Sequence, residues 1–128
     1  MTKLPEPIRP VFNLEERTAV FGECVIDFVR SVKRDEITKP LLNQCVRSGT
    51  SVGANYVEAD EADTKKEFKY RIGLSRREAR ETKHWLRMIV KASPAHAETA
   101  RTLWKEADEL IRIFSRIKST MTPVRETP

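Results

Sequence analysis

Long apolar runs are missing from this chain. Nothing in it approaches the roughly 18 consecutive apolar residues of a membrane-spanning helix, so no transmembrane segment is expected. The first ten residues hold Pro5, Pro7 and Pro10 and no apolar core, which argues against a signal peptide. The expected location is the cytoplasm. Cysteine is scarce: Cys24 and Cys45 form no Cys-x-x-Cys and no Cys/His pair at zinc spacing. Both thiols are expected to act as small buried hydrophobes. Histidine is limited to His84 and His96. Strand-like alternation, internal repeats and low-complexity segments are absent, and no glycine-rich loop follows a strand to cradle a phosphate.

What is present is helical. The 128 residues are 34% charged and 39% hydrophobic, which suits one soluble domain with long solvated helices. Leu14, Thr18, Phe21, Val25, Phe28 and Val32 alternate steps of four and three, one face of a first helix. Asn13 and Glu16 would form a capping box at its start. Leu41, Cys45, Ser48, Val52, Asn55, Ala59 and Ala62 repeat the pattern, with Thr38 and Pro40 at the expected helix start. The middle of this second helix, Ser48 to Asn55, is small and polar. Each interior glycine there costs about 1 kcal/mol against alanine. A close approach by another helix would offset that cost, and a short strand or loop is the alternative. Thr64 and Glu67 form a second capping box, ahead of Phe68, Ile72, Ser75, Ala79, Thr82, Leu86 and Ile89. Ser93 and Pro94 would open a fourth helix carrying Ala100, Leu103, Ala107, Leu110, Phe114, Ile117 and Met121. Short connections between long helices make neighbours antiparallel. The expectation is all-α: an up-down-up-down antiparallel four-helix bundle over residues 13–121, with an extended arm at 1–12 and a tail at 122–128.

The third helix concentrates the charge. Thr64 to Ala92 holds ten Lys and Arg against three acids, a net +7 in a chain whose formal charge is +5. At about 100° per residue the segment resolves into three faces. Lys65, Lys69, Arg76, Arg80, Lys83 and Arg87 lie to one side of the core stripe. Leu74, Glu78, Glu81, Trp85 and Met88 lie to the other. A one-sided basic stripe suits phosphates. A solvated face balanced by acids of neighbouring helices is the plain alternative, and an anionic membrane surface a third. Trp85, and Trp104 beside Ile111 on the fourth helix, fall on flanks and suggest a second buried surface, as at a subunit contact.

The polar candidates point away from catalysis. Asn55 sits at a core position, where it would fix register, with Ser51 and Glu58 a turn to either side. Glu78 and Glu81 need a cation or a hydrogen bond if buried, and Arg47, Arg71 or another subunit could supply it. Glu81 and His84 make one Glu-x-x-His pair, where a di-metal bundle needs two such pairs and two more Glu. No nucleophile–base–orienter set is present. Glu58, Asp60, Glu61 and Asp63 lack calcium-loop spacing and favour the next helix's N-terminus. Neither metal, cofactor nor catalytic residue is expected.

Two stretches carry a family resemblance: Arg47-Ser48-Gly49-Thr50-Ser51-Val52-Gly53-Ala54-Asn55-Tyr56-Val57-Glu58-Ala59, and Lys66-Glu67-Phe68 through Ile72-Gly73-Leu74 to Glu78-Ala79-Arg80-Glu81-Thr82-Lys83-His84-Trp85-Leu86-Arg87-Met88. They resemble the signatures of the bacterial four helix bundle proteins, also called 23S rRNA intervening sequence proteins or the S23 family. The match is specific over residues 47–88 and loose elsewhere. Ser51, Asn55, Glu58, Glu67, Phe68, Glu78, Glu81 and Trp85 are the signature positions, none with a catalytic role in the family. Gly73 stands where the family often has alanine. The resemblance implies a homopentameric ring. It also implies a distant relation to the accessory variability protein of diversity-generating retroelements, a basic pentamer that binds nucleic acid and docks a reverse transcriptase. The expected function is a non-enzymatic homo-oligomer that contacts nucleic acid, RNA above all, through the basic face of the third helix. The alternative is a protein-binding scaffold or structural ring without nucleic acid.

Overall fold

The computed structural model describes residues 13–121, so the arm and the tail lie outside the described residues. The helices are α1 (Leu14–Ser31), α2 (Thr38–Asp60), α3 (Lys65–Ala92) and α4 (Ala97–Met121), with a 3₁₀ turn at Pro94–His96. No strand occurs among the described residues, and no helix there is long and apolar enough to cross a membrane. α1 packs on α2, α2 on α3 and α3 on α4, while α4 meets α1 along a much thinner seam. This is the all-α, four-helix bundle that the heptad steps predict.

The predicted core rows of α1, α3 and α4 are buried, apart from half-buried Phe68 and Ile117. The Met121 side chain is outside the described set. On α2 Cys45, Ser48, Val52 and Ala59 are buried as expected, and the row departs at Asn55 and at its ends. Leu42 is fully buried where Leu41 was expected, and Leu41, Asn55 and Ala62 are only half-buried. The cause is the glycine seam with α1. A Cβ on Gly49 would lie 2.8–3.0 Å from side-chain carbons of Val25, and one on Gly53 would lie 3.3 Å from Thr18 Oγ1. α2 therefore stays helical through its small-residue middle, because packing that close offsets the poor local propensity. Its other side meets α3 through buried hydroxyls: Ser48 and Thr82 share a 2.8 Å hydrogen bond, and Ser75 donates to the Val52 carbonyl at 3.0 Å.

Helix ends depart from expectation in three places. Asn13 makes no side-chain cap bond. α2 is capped by Asp35, whose Oδ1 accepts from the Ile37 and Thr38 amides at 2.9 and 2.8 Å, while Thr38 Oγ1 accepts from the Asp35 amide at 2.9 Å. Ser93 and Pro94 open a 3₁₀ turn rather than α4 itself. At the third start, Thr64 Oγ1 accepts from the Glu67 amide at 3.0 Å as predicted.

The thin α1–α4 seam holds a buried ion pair absent from the expectations. Arg17 donates from Nε and Nη2 to both carboxylate oxygens of Glu106, each at 2.7 Å. Glu109 lies 3.2 Å from Nη2. The Glu106 hydrogen bond is the main reason that the Arg17 pKa rises from its ordinary value. Cys24 and Cys45 are both buried, and desolvation pushes their pKa values to about 11 and about 12.

Candidate functional site

The two flanks of α3 have different fates. The acidic flank turns toward α2, where Arg47 pairs with Glu78 at 3.1 Å and with Glu81. Gln44 steadies Arg47 by accepting from its Nε at 2.9 Å. Trp85 Nε1 donates to Glu81 at 2.9 Å. That bond first, and the Arg47 bond after it, hold the Glu81 carboxyl below its ordinary range against the effect of burial. Arg47 is thus the cation these acids required. His84 is exposed and lies edge-on to Trp85, with ring centroids 4.9 Å apart. Among the described residues, no group of three or more His, Cys, Asp or Glu is placed to hold a metal.

Asn55 does not hold the buried register position expected of it. It is half-buried and donates to the Ser51 carbonyl of its own helix at 3.0 Å, while Ser51 Oγ bonds back to the Arg47 carbonyl at 2.7 Å. The glycine seam that brings Leu42 inward leaves Asn55 half-buried. Glu58 is exposed.

The basic flank turns toward α4 and becomes a furrow. Lys65, Arg80 and Arg87 are exposed, whereas Lys69, Arg76 and Lys83 are half-buried. Lys83 Nζ lies 2.8 Å from Asp108 Oδ1 and 4.0 Å from the centroid of the Trp104 ring. Arg76 Nη1 reaches Ser115 Oγ at 3.4 Å. The far wall is a row of α4 at steps of four and three: Trp104, Asp108, Ile111, Ser115, Lys118. Lys118 crosses over α3 where Gly73 has no side chain, since a Cβ at 73 would lie 2.7 Å from its Nζ. Burial first, then the charges of Arg76, Lys69 and Arg77, push Lys118 below the usual lysine range.

The stripe is therefore not one open face. Asp108 interrupts it at Lys83, and the Lys83 hydrogen bond is the main reason the Asp108 carboxyl is held below its ordinary pKa. Nor do the tryptophans form one second surface. Trp85 is half-buried on the α2 side of α3, and Trp104, 40% exposed, lies on the α4 side. Lys118 was missed as a furrow residue. The signal lay in the heptad Trp104–Ile111–Lys118, which continues the α4 stripe by seven.

A concavity of about 780 Å³ lies between α1 and α2. Glu15, Glu16, Glu23 and Asp60 line it, which makes it hostile to anions.

Comparison with known proteins adds the family. The model of the 23S rRNA-intervening sequence proteins matches residues 16–116. No curated protein matches the chain. Among solved structures, a protein of unknown function from the S23 ribosomal protein family of Bacteroides thetaiotaomicron superposes with a TM-score of 0.72 at 21% identity. The alignment covers 82% of this chain and 97% of that one. At such identity the likeness speaks for the fold alone.

Proposed function

This chain belongs to the 23S rRNA-intervening sequence protein family, and we propose that it is a non-enzymatic, cytoplasmic homo-oligomer whose α3–α4 furrow binds nucleic acid, RNA above all. One observation carries the proposal. Lys118 of α4 crosses α3 at Gly73 and so shares the furrow with half-buried Lys69 and Arg76 of α3. Cations held that close repel one another, and a phosphate placed among them relieves the repulsion. Lys65, Arg80 and Arg87 extend the positive track along roughly 30 Å of helix, long enough to follow several phosphates. Fluorescence anisotropy with labelled RNA and with duplex DNA at low salt tests this. Binding is expected, with a loss of tenfold or more when Arg76, Arg80 and Arg87 are replaced together by alanine. Exposed Lys39, away from the furrow, is the control position. No binding at low salt, or no loss in the triple variant, contradicts the proposal.

Assembly is assigned to the other flank. Leu74, Trp85 and Met88 are half-buried there, and Arg71 Nε is buried without a hydrogen-bond partner among the described residues. A neighbouring copy would cover the three half-buried apolar side chains. The expected solution species is a pentamer, five times the 14.8 kDa chain. A monomer mass by light scattering contradicts it, and Trp85→Ala should weaken assembly. The alternative, a protein-binding or structural ring without nucleic acid, is favoured by the neutralisation of Lys83 by Asp108. Co-purification of a protein partner without nucleic-acid absorbance would support it.

A further inference from the structure

One end of the furrow differs in chemistry from the rest. Between α3 and α4 a groove of about 400 Å³ is lined by Leu86, Val90, Ala97, Ala100 and the Trp104 indole, with Arg87, Arg101 and Lys105 completing the lining. These three cations are exposed, and no carboxylate lines the groove. Trp104 has one ring face under Lys83 Nζ and keeps 40% of its surface open. An aromatic plane beside an apolar floor, rimmed by cations, is what a nucleobase and its flanking phosphates require together.

We propose that this groove takes an unpaired base, stacked on Trp104, with its phosphates on Arg87, Arg101 and Lys105. The ligand class of the furrow is then single-stranded nucleic acid or an unpaired loop. The inference rests on the nucleic-acid reading of the furrow and deepens it. In a duplex the base faces are covered by their neighbours, so only an unpaired base can enter a groove between two helices. An acidic amphipathic peptide fits less well. Helix-in-groove docking uses a row of anchors over two or more turns of both walls; α4 offers Ala97 to Lys105, but α3 contributes only Leu86 to Val90, about one turn. A second copy presenting the same cationic rim would be repelled. Stacking on one aromatic plane discriminates little among bases, so sequence preference should be weak.

The test compares a labelled single-stranded RNA 12-mer, as probe, with the duplex of the same length. The full-length protein is used as wild type, Trp104→Ala and Trp104→Phe, with folding of each checked by circular dichroism. The single strand is expected to bind about tenfold more tightly than the duplex and to quench tryptophan fluorescence. Trp104→Ala should lose that tenfold for the single strand alone, an effect of the size of one base–aromatic stack. Trp104→Phe should abolish the quenching while keeping most of the affinity. Equal binding of both forms, with no quenching, overturns this inference and leaves the phosphate-binding furrow standing. Binding of neither form overturns both. Quenching by an acidic amphipathic peptide but not by RNA, or a change in assembly mass in Trp104→Ala, assigns the groove to a protein surface and overturns the inference as well.

Discussion

Replacing Glu106 with glutamine removes one charge from the α1–α4 seam at nearly constant volume. Arg17 is 3% exposed and Glu106 7%, so water cannot take over the lost contact. Breaking a buried pair by removing one partner typically costs about 3–5 kcal/mol. Glu109, 39% exposed and 3.2 Å from Arg17 Nη2, keeps part of the compensation. Glu106→Gln is therefore expected at the low end, about 2–3 kcal/mol. Arg17→Met leaves the Glu106 carboxylate buried without its arginine and should cost about 3–5 kcal/mol. The double variant Arg17→Met/Glu106→Leu fills the same space with apolar atoms. It also removes Arg17 Nη1, a buried nitrogen with no hydrogen-bond partner among the described residues. It should fall within about 1 kcal/mol of the parent protein, or exceed it. Urea unfolding followed by far-UV circular dichroism reads this directly, at fixed protein concentration because assembly adds to apparent stability. With a slope of about 1–3 kcal/mol per molar urea, the single variants should lower the midpoint by about 1 M or more. Single variants within about 0.5 kcal/mol of the parent, or a double variant as unstable as the sum of the singles, would refute the reasoning.

Other expectations follow from the packing. Gly49→Ala should destabilise by about 1–3 kcal/mol in the same assay, because its Cβ would meet stiff, fully buried Val25. Gly73→Ala should instead be neutral or stabilise by up to about 1 kcal/mol, since only the far end of Lys118 must move. Both thiols should resist a thiol reagent in the native protein at mildly alkaline pH and react in urea, as burial raises them to about 11 and about 12. Asp35, Glu81 and Asp108 have depressed pKa values. Their stabilisation is present above the unfolded values near pH 4 and is lost as pH falls through the folded ones. The urea midpoint should hold level from pH 7 to about pH 5 and drop below about pH 4.

The core was legible where one helix face serves one neighbour pair, as in the rows Leu14 to Phe28 and Ala100 to Phe114. On α2 Cys45, Ser48, Val52 and Ala59 are buried as expected, but the glycine seam, a tertiary effect, brings Leu42 inward for Leu41 and leaves Asn55 half-buried. The Asp35 cap was hidden by Thr38, which looked like the cap and is its reciprocal partner. The Arg17–Glu106 pair left a faint signature: opposite charges, each one residue before a core position, Thr18 and Ala107. The split of α3 into acidic and basic flanks followed from helical geometry alone. The neighbour of the acidic flank was legible through Arg47, one of the cations expected for Glu78 and Glu81; that the basic flank meets α4 depends on the handedness of the bundle. The furrow's far wall on α4 was half visible, through Trp104 and Ile111 but not Lys118.

The central claim is that phosphates occupy the α3–α4 furrow. The most direct measurement is the salt dependence of single-stranded RNA affinity, for the parent protein and for Arg76→Ala/Lys118→Ala. For a single strand, log affinity falls against log salt with a slope of about −0.7 per neutralised phosphate. A parent slope near −3 or steeper is expected, becoming shallower by about 1.4 in the double variant. A shallow parent slope, or one unchanged by removing Arg76 and Lys118, would contradict the account.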